Sequence, residues 1–316
     1  MKHCLILTLC ILSSVCNAMN PARKQIQVSD NHHFLQYSDG KPFFYLGDTA
    51  WELFHRLNTE EAYHYLQDRA DKGFTVIQAV ALAELDGIGT ANANGHLPFI
   101  EKDPSRPAVL EGPDNDYWDH VDKIVNRANE LGLFIGMLPT WGRYWQDKKD
   151  VVFNPDNAYQ YGLWLGKRYK DANIIWILGG DRNPSDDNQK AIVRAMARGL
   201  QEGDERTHLS SMHPRGGAGS ADFFRGEEWL DFNMRQNGHN IIYENYAKTY
   251  EQYQYEPAVP IIDGEPVYED HPVAFDPDSM GDDIPPKLLS WGQLAPDAPD
   301  PELVKLASEF MAKSDL

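Results

Sequence analysis

Cysteine is nearly missing from this sequence. The 316 residues contain three, Cys4, Cys10 and Cys16, all within the first 16 positions. Everything downstream lacks a thiol, which excludes disulfides and thiolate catalysis there. Positive charge is scarce too: 29 basic against 48 acidic residues leave a formal net charge of -19. Such a surface repels phosphate backbones and anionic lipid, so nucleic acid is not an expected partner. Past the N-terminal segment no apolar run is long enough to span a bilayer. No Gly-x-Gly-x-x-Gly turn follows the first expected strand, and no Gly-x-Ser-x-Gly elbow occurs, so the usual dinucleotide turn and serine-nucleophile elbow are absent. No cofactor is expected.

Residues 1–18 carry the features of a secretory signal. Lys2 and His3 open it, a mostly apolar run covers Leu5 to Val15, and Cys16-Asn17-Ala18 forms a small-x-small cleavage pattern. The mature chain is then expected to start at Met19, in the periplasm or at the cell surface. Lipid attachment at Cys16 is the alternative route to the surface. Residues 19–42 are expected to form a linker and a small hairpin, with Ser38-Asp39-Gly40 as its turn, capping the floor of a catalytic domain over residues 43–316.

Within that domain, apolar runs alternate with helical patterns. Strands are expected at Phe43–Leu46, Phe74–Val80, Leu133–Leu138, Asn173–Leu178, His208–Met212, Asp231–Met234 and Val259–Asp263. Helices are expected between them, one opened by Asn58 or Thr59 and stopped at Gly73, another stopped at Gly132. This is the βαβ rhythm of a parallel sheet, and its spacing predicts an α/β fold of the (β/α)8 TIM-barrel type. The region Asp276 to Asp300, rich in Pro, Asp and Gly, offers no convincing eighth strand beyond the short Leu288-Leu289-Ser290-Trp291.

Barrels build their sites at the C-terminal ends of their strands. Past the expected strand ends stand Asp48 and Trp51, then Gln78, Trp141, Asp181, His213, Gln236 with His239, and Glu265. A ring of carboxylates, amides, imidazoles and indoles suits a carbohydrate: planar polar groups fix hydroxyls, and indole faces stack on sugar C–H surfaces. Glycoside hydrolysis needs two carboxyl groups flanking the glycosidic bond. Asp181 and Glu265 make the best pair, since each follows a strongly apolar strand and sits among glycines and prolines. Asp263, two residues before Glu265, is expected on the same strand face, where it would tune Glu265. Arg182 is expected to point away from Asp181. A metal centre built from His213, His239 and Asp181 or Glu265 is the weaker alternative, because no His-x-His ends the first strand.

Four stretches resemble the apiosidase-like proteins of glycoside hydrolase family 140: Tyr45–His55, Gly73–Gln78, Gly179-Gly180-Asp181-Arg182-Asn183-Pro184 and Asp263–Glu269. The resemblance runs from about residue 25 to about residue 275 and implies a (β/α)8 barrel with a retaining mechanism. It also implies Asp181 as acid/base, Glu265 as nucleophile, and a pectic substrate containing apiose. A non-catalytic carbohydrate-binding relative would keep the same ring of residues, and turnover separates the two.

Overall fold

The computed structural model describes residues 24–238 and 245–266. The signal segment, Cys16, His239 and Leu288–Trp291 lie outside the described residues.

The chain opens with an antiparallel hairpin, β1 (Ile26–Val28) and β2 (Leu35–Tyr37). Its turn spans residues 29–34, where Ser29 Oγ bonds Asn31, and not the expected Ser38-Asp39-Gly40. That second turn folds the chain back, so that Pro42 bridges to Gln36 and Phe43 is tucked inward. Phe43 meets Tyr37 and Phe134 edge-on, and the Lys24 N–H bonds the Asn173 side chain. Both Phe134 and Asn173 stand where barrel strands begin, so the hairpin lies under the barrel floor.

Seven parallel barrel strands follow: β3 (Gly47–Thr49), β4 (Val76–Val80), β5 (Phe134–Leu138), β6 (Ile174–Gly179), β7 (Ser210–His213), β8 (Asn233–Gln236) and β9 (Ile261–Glu265). The first begins later than the apolar run suggested, because Phe43 is spent on the floor and Phe44 is exposed. Strands β3 to β7 form one hydrogen-bonded sheet and β8–β9 a second parallel pair. The two join where the Asp231 N–H bonds Ser210 O and the Ser211 hydroxyl bonds Phe232 O. Fully buried β5 and β6 read as continuous apolar runs because both faces are covered, and β4 is interrupted only by Gln78. Among the described residues no strand joins β9 to β3, and the ring is open at that seam.

The long helices are α2 (Thr59–Asp71), α3 (Tyr117–Glu130), α5 (Pro155–Tyr169), α6 (Asp187–Gly203) and α8 (Asn245–Tyr253); α1 (Leu53–Arg56), α4 (Arg143–Gln146) and α7 (Ala221–Phe224) are single turns. Helix α2 starts with a reciprocal capping box, Asn58 bonding the Glu61 N–H and Glu61 the Asn58 N–H, which satisfies two otherwise orphaned donors. Helices α5 and α6 press together backbone to backbone: a Cβ on Gly162 would stand 2.5 Å from Met196 O, and one on Gly199 2.3 Å from Tyr159 O. These two helices flank β6 in sequence and anchor the strand that ends at Asp181. No described helix is long and apolar enough to cross a membrane.

Candidate active site

Strand β6 ends in a turn that only its glycines permit. Gly179, Gly180 and Asp181 have successive φ of +94°, +94° and +54°. Glycine holds such angles without cost, whereas aspartate adopts them under mild strain. Space is equally tight. A Cβ on Gly180 would lie 2.9 Å from Trp141 Cα, and one on Gly179 2.5 Å from His213 O. The turn is pinned by bonds from the Gly142 N–H to Gly180 O (2.8 Å), the Gly180 N–H to His213 O (3.1 Å) and the Trp145 indole to Gly179 O (2.9 Å). It presents the Asp181 carboxyl partly exposed at the mouth, its side chain 31% accessible.

Glu265, at the end of β9, is buried instead, with 4% of its side chain accessible. Gln236 Nε2 donates to Glu265 Oε2 at 2.5 Å. His213 Nε2 stands 2.9 Å from the same oxygen, within ion-pair range but too bent for a hydrogen bond. The other ring nitrogen, Nδ1, accepts the Asp181 backbone N–H at 3.2 Å. An accepting Nδ1 carries no proton, so the imidazole proton sits on Nε2, facing Glu265. One buried histidine therefore touches both carboxyl-bearing residues.

Burial pushes the Asp181 carboxyl above the usual range, and the Glu265 charge adds to this. His213, Arg182 and a hydrogen bond from Gln236 oppose it without reversing the shift. Arg182 does not point away as expected: its Nη1 bonds Asp181 Oδ2 at 3.0 Å and Asp181 O at 2.8 Å. The reason is geometric, since the Arg182 stem packs where a Gly142 side chain would be, 2.2 Å from that Cβ position, and the head has Asp181 and Asp147 in reach.

Trp51 and Trp141 do reach this place, but as wall and not as platforms. They are 2% and 1% exposed, their rings lie 5.4 Å apart, and both pack on His213 at 5.3 and 6.1 Å. Gln78 lies deeper. Its amide bonds Gly264 O across the barrel interior at 2.8 Å and receives the Tyr45 hydroxyl at 3.4 Å, bracing β4 to β9. Asp48 faces the other way, toward α2, where Tyr65 donates to it at 2.9 Å and Arg69 pairs with it at 3.2 Å. Asp263 is also turned outward. A bulge at Gly264 pairs Arg235 with Asp263 but Gln236 with Glu265, and the extra residue puts the two acids on opposite faces. Asp263 bonds Asn237 and lines an outer cleft of about 530 Å³ beneath Tyr246, Tyr250 and Tyr253 of α8, away from the two carboxylates.

Two acids at the mouth escape a reading of strand ends. Glu84 follows β4 by four residues, half-buried, and its carboxyl is pushed up to about 7 by burial first, then by Asp181, Glu52 and Glu265 against the relief of Arg182. Glu52 pairs with buried His55 at 3.0 Å and accepts the Leu85 N–H at 3.2 Å. A lone acid in the apolar stretch Ala79–Leu85 was the only available signal for Glu84.

The parallel barrel, with two carboxyl groups about one buried histidine at its C-terminal mouth, is similar in fold to known glycoside hydrolases. A family 5 glycoside hydrolase from Bacteroides vulgatus superposes with a TM-score of 0.71 at 34% identity, over 81% of this chain and 56% of that one. Another glycoside hydrolase gives 0.73 at 33% identity, over 81% and 59%. The endo-1,4-beta-mannanase of Rhizomucor miehei shares the fold alone, with a TM-score of 0.52 at 14% identity over 75% of this chain and 80% of that one. The chain thus spans 56% and 59% of the first two proteins. No curated protein sequence matches it significantly. The family itself is defined by the match of residues 29–283 to the apiosidase-like catalytic domain, and the chain belongs to that family.

Proposed function

We propose that this protein is a retaining glycosidase of branched pectic oligosaccharides, apiosidase-like in specificity, with Asp181 as acid/base and Glu265 as nucleophile. The observation that supports this most is the contrast of the two carboxyl groups about His213: a partly exposed acid with raised proton affinity beside a buried acid held by Gln236. A raised proton affinity suits the Asp181 carboxyl to the acid role.

In the first step Glu265 attacks the anomeric carbon as the glycosidic C–O bond breaks, and the Asp181 proton passes to the leaving oxygen. In the second step Asp181 takes a proton from water, whose oxygen attacks the same carbon and frees Glu265. Arg182 stabilises Asp181 whenever it is ionised, after the first step and until the second is complete. Retention goes with carboxyl groups about 5–5.5 Å apart and inversion with roughly 6.5–9.5 Å. A screen of defined plant cell-wall oligosaccharides, products identified by mass, tests the reading. Release of a terminal pentose from a pectic branch is expected; binding without release from any of them indicates a carbohydrate-binding relative instead.

The same reading has the protein exported, with residues 1–18 removed. Intact mass of periplasmic protein is expected to start at Met19, and a retained, lipid-bearing Cys16 would favour an anchored form.

A further inference from the structure

Glu84 is a residue to which the two-carboxylate scheme gives no task. Its backbone is fixed from several sides. Arg143 Nη1 donates to Glu84 O at 2.9 Å, and the Tyr144 hydroxyl to Ala83 O at 2.8 Å. The following N–H, of Leu85, bonds the Glu52 carboxylate. Arg143 is itself held by Asp150 at 2.6 Å. The Glu84 carboxyl, by contrast, has no hydrogen bond or ion pair to any described residue. It lies half-buried, near enough to feel Asp181, Glu52 and Glu265. Arg182, the nearby cation, is engaged with Asp181 and Asp147.

A carboxyl set on a fixed backbone near three others, without a partner among the described residues, costs stability. Such a placement is tolerated where function needs it. A second, independent observation points to a ligand at the same mouth. Gln236 Oε1, buried beside Glu265, and Trp141 Nε1, buried beside His213, have no hydrogen-bond partner among the described residues. Buried polar atoms of this kind are normally satisfied, so the lining of the mouth holds unmet hydrogen-bonding capacity.

We propose that Glu84 is a third working carboxyl of the mouth, which grips a hydroxyl of the sugar bound beside Asp181. Protonated, it donates to that hydroxyl; ionised, it accepts from it. A sugar hydroxyl suits both states, whereas a carboxylate on the substrate would be repelled once Glu84 ionises. The inference rests on the glycosidase reading above.

The test compares Glu84→Ala and Glu84→Gln with wild type in the full chain, on whichever pectic oligosaccharide the wild type cleaves. Glu84→Ala should raise KM about tenfold, the size of one hydrogen bond to a charged or polar ligand group. Glu84→Gln keeps a donor and an acceptor and should recover most of that loss. Both should melt at or above the wild-type temperature, since an unpaired acid is gone, whereas a structural role predicts lower melting. Wild-type KM in Glu84→Ala would overturn the inference and leave the glycosidase reading standing. A wild type that cleaves none of the oligosaccharides would overturn the reading itself, and the inference with it.

Discussion

The turn after β6 and the end of β9 solve opposite problems. One lifts Asp181 out of the barrel on three residues of positive φ and leaves it 31% accessible beside a guanidinium; the other keeps Glu265 4% accessible on a bulged strand with a neutral amide and a histidine. A group that must exchange protons with water belongs at the margin, and one that must meet a carbon at a fixed distance belongs where packing holds it. The shared contact is His213, whose two ring nitrogens face the Asp181 amide and the Glu265 carboxylate.

Breaking the buried side should cost most. Glu265→Ala is expected to lose at least about 10^5-fold in kcat for every substrate, because enzymes accelerate by about 10^6-fold or more and the proposed nucleophile is gone. Steady-state assays with an intact melting transition check this. Next comes Asp181→Ala, with a loss of about 10^2–10^4-fold on a natural leaving group, the usual worth of general acid catalysis. On an aryl glycoside with a nitrophenol leaving group its first step should be nearly spared, which a pre-steady-state burst reports.

The residues turned outward sharpen the contrast by doing little. Asp48→Asn should leave kcat/KM within about threefold of wild type, yet cost about 1–2 kcal/mol of stability through weakened bonds to Tyr65 and Arg69. A denaturant titration beside a kinetic assay separates these effects, and a large kinetic loss would place Asp48 in the site after all.

The smallest effect is a slope in stability against pH. Glu84 is raised from 4.5 to about 7 and Asp231 from 3.8 to about 6, both chiefly by burial. Between ordinary and raised values the folded chain binds more protons than the unfolded one, so stability falls as pH rises from about 4 to about 7. His55, raised by its bond to Glu52, adds in the same direction by losing its contribution as pH climbs through its folded value. His120, lowered by burial, opposes them. Melting temperatures across that window should decline, and less steeply in Glu84→Gln.

The barrel rhythm and the strand-end places of Asp181 and Glu265 were legible because apolar runs bounded by glycine mark buried strands and their ends. What failed was facing. Alternation put Asp263 with Glu265, but the bulge at Gly264 inserts one residue and inverts the face, and nothing local distinguishes that glycine from a turn glycine. Asp48 was placed at the mouth because the strand was expected to end at Leu46, whereas it occupies Gly47–Thr49 and sends Asp48 toward α2. Trp51 and Trp141 were read as sugar platforms; their burial against each other and His213 depends on packing between distant strands, which composition does not reveal. Glu84 lies four residues past its strand, in a loop whose path is fixed by Arg143 and Glu52 from elsewhere in the chain.

The division of labour between Asp181 and Glu265 is tested most directly by azide rescue of Asp181→Ala on a nitrophenyl glycoside of the sugar released by the wild type. Azide needs no proton removed, so it can replace the water that Asp181 no longer activates. The account predicts restored turnover and a glycosyl azide of the same anomeric configuration as the substrate. A glycosyl azide of inverted configuration, or Asp181→Ala turning over its natural substrate at the wild-type rate, would contradict it.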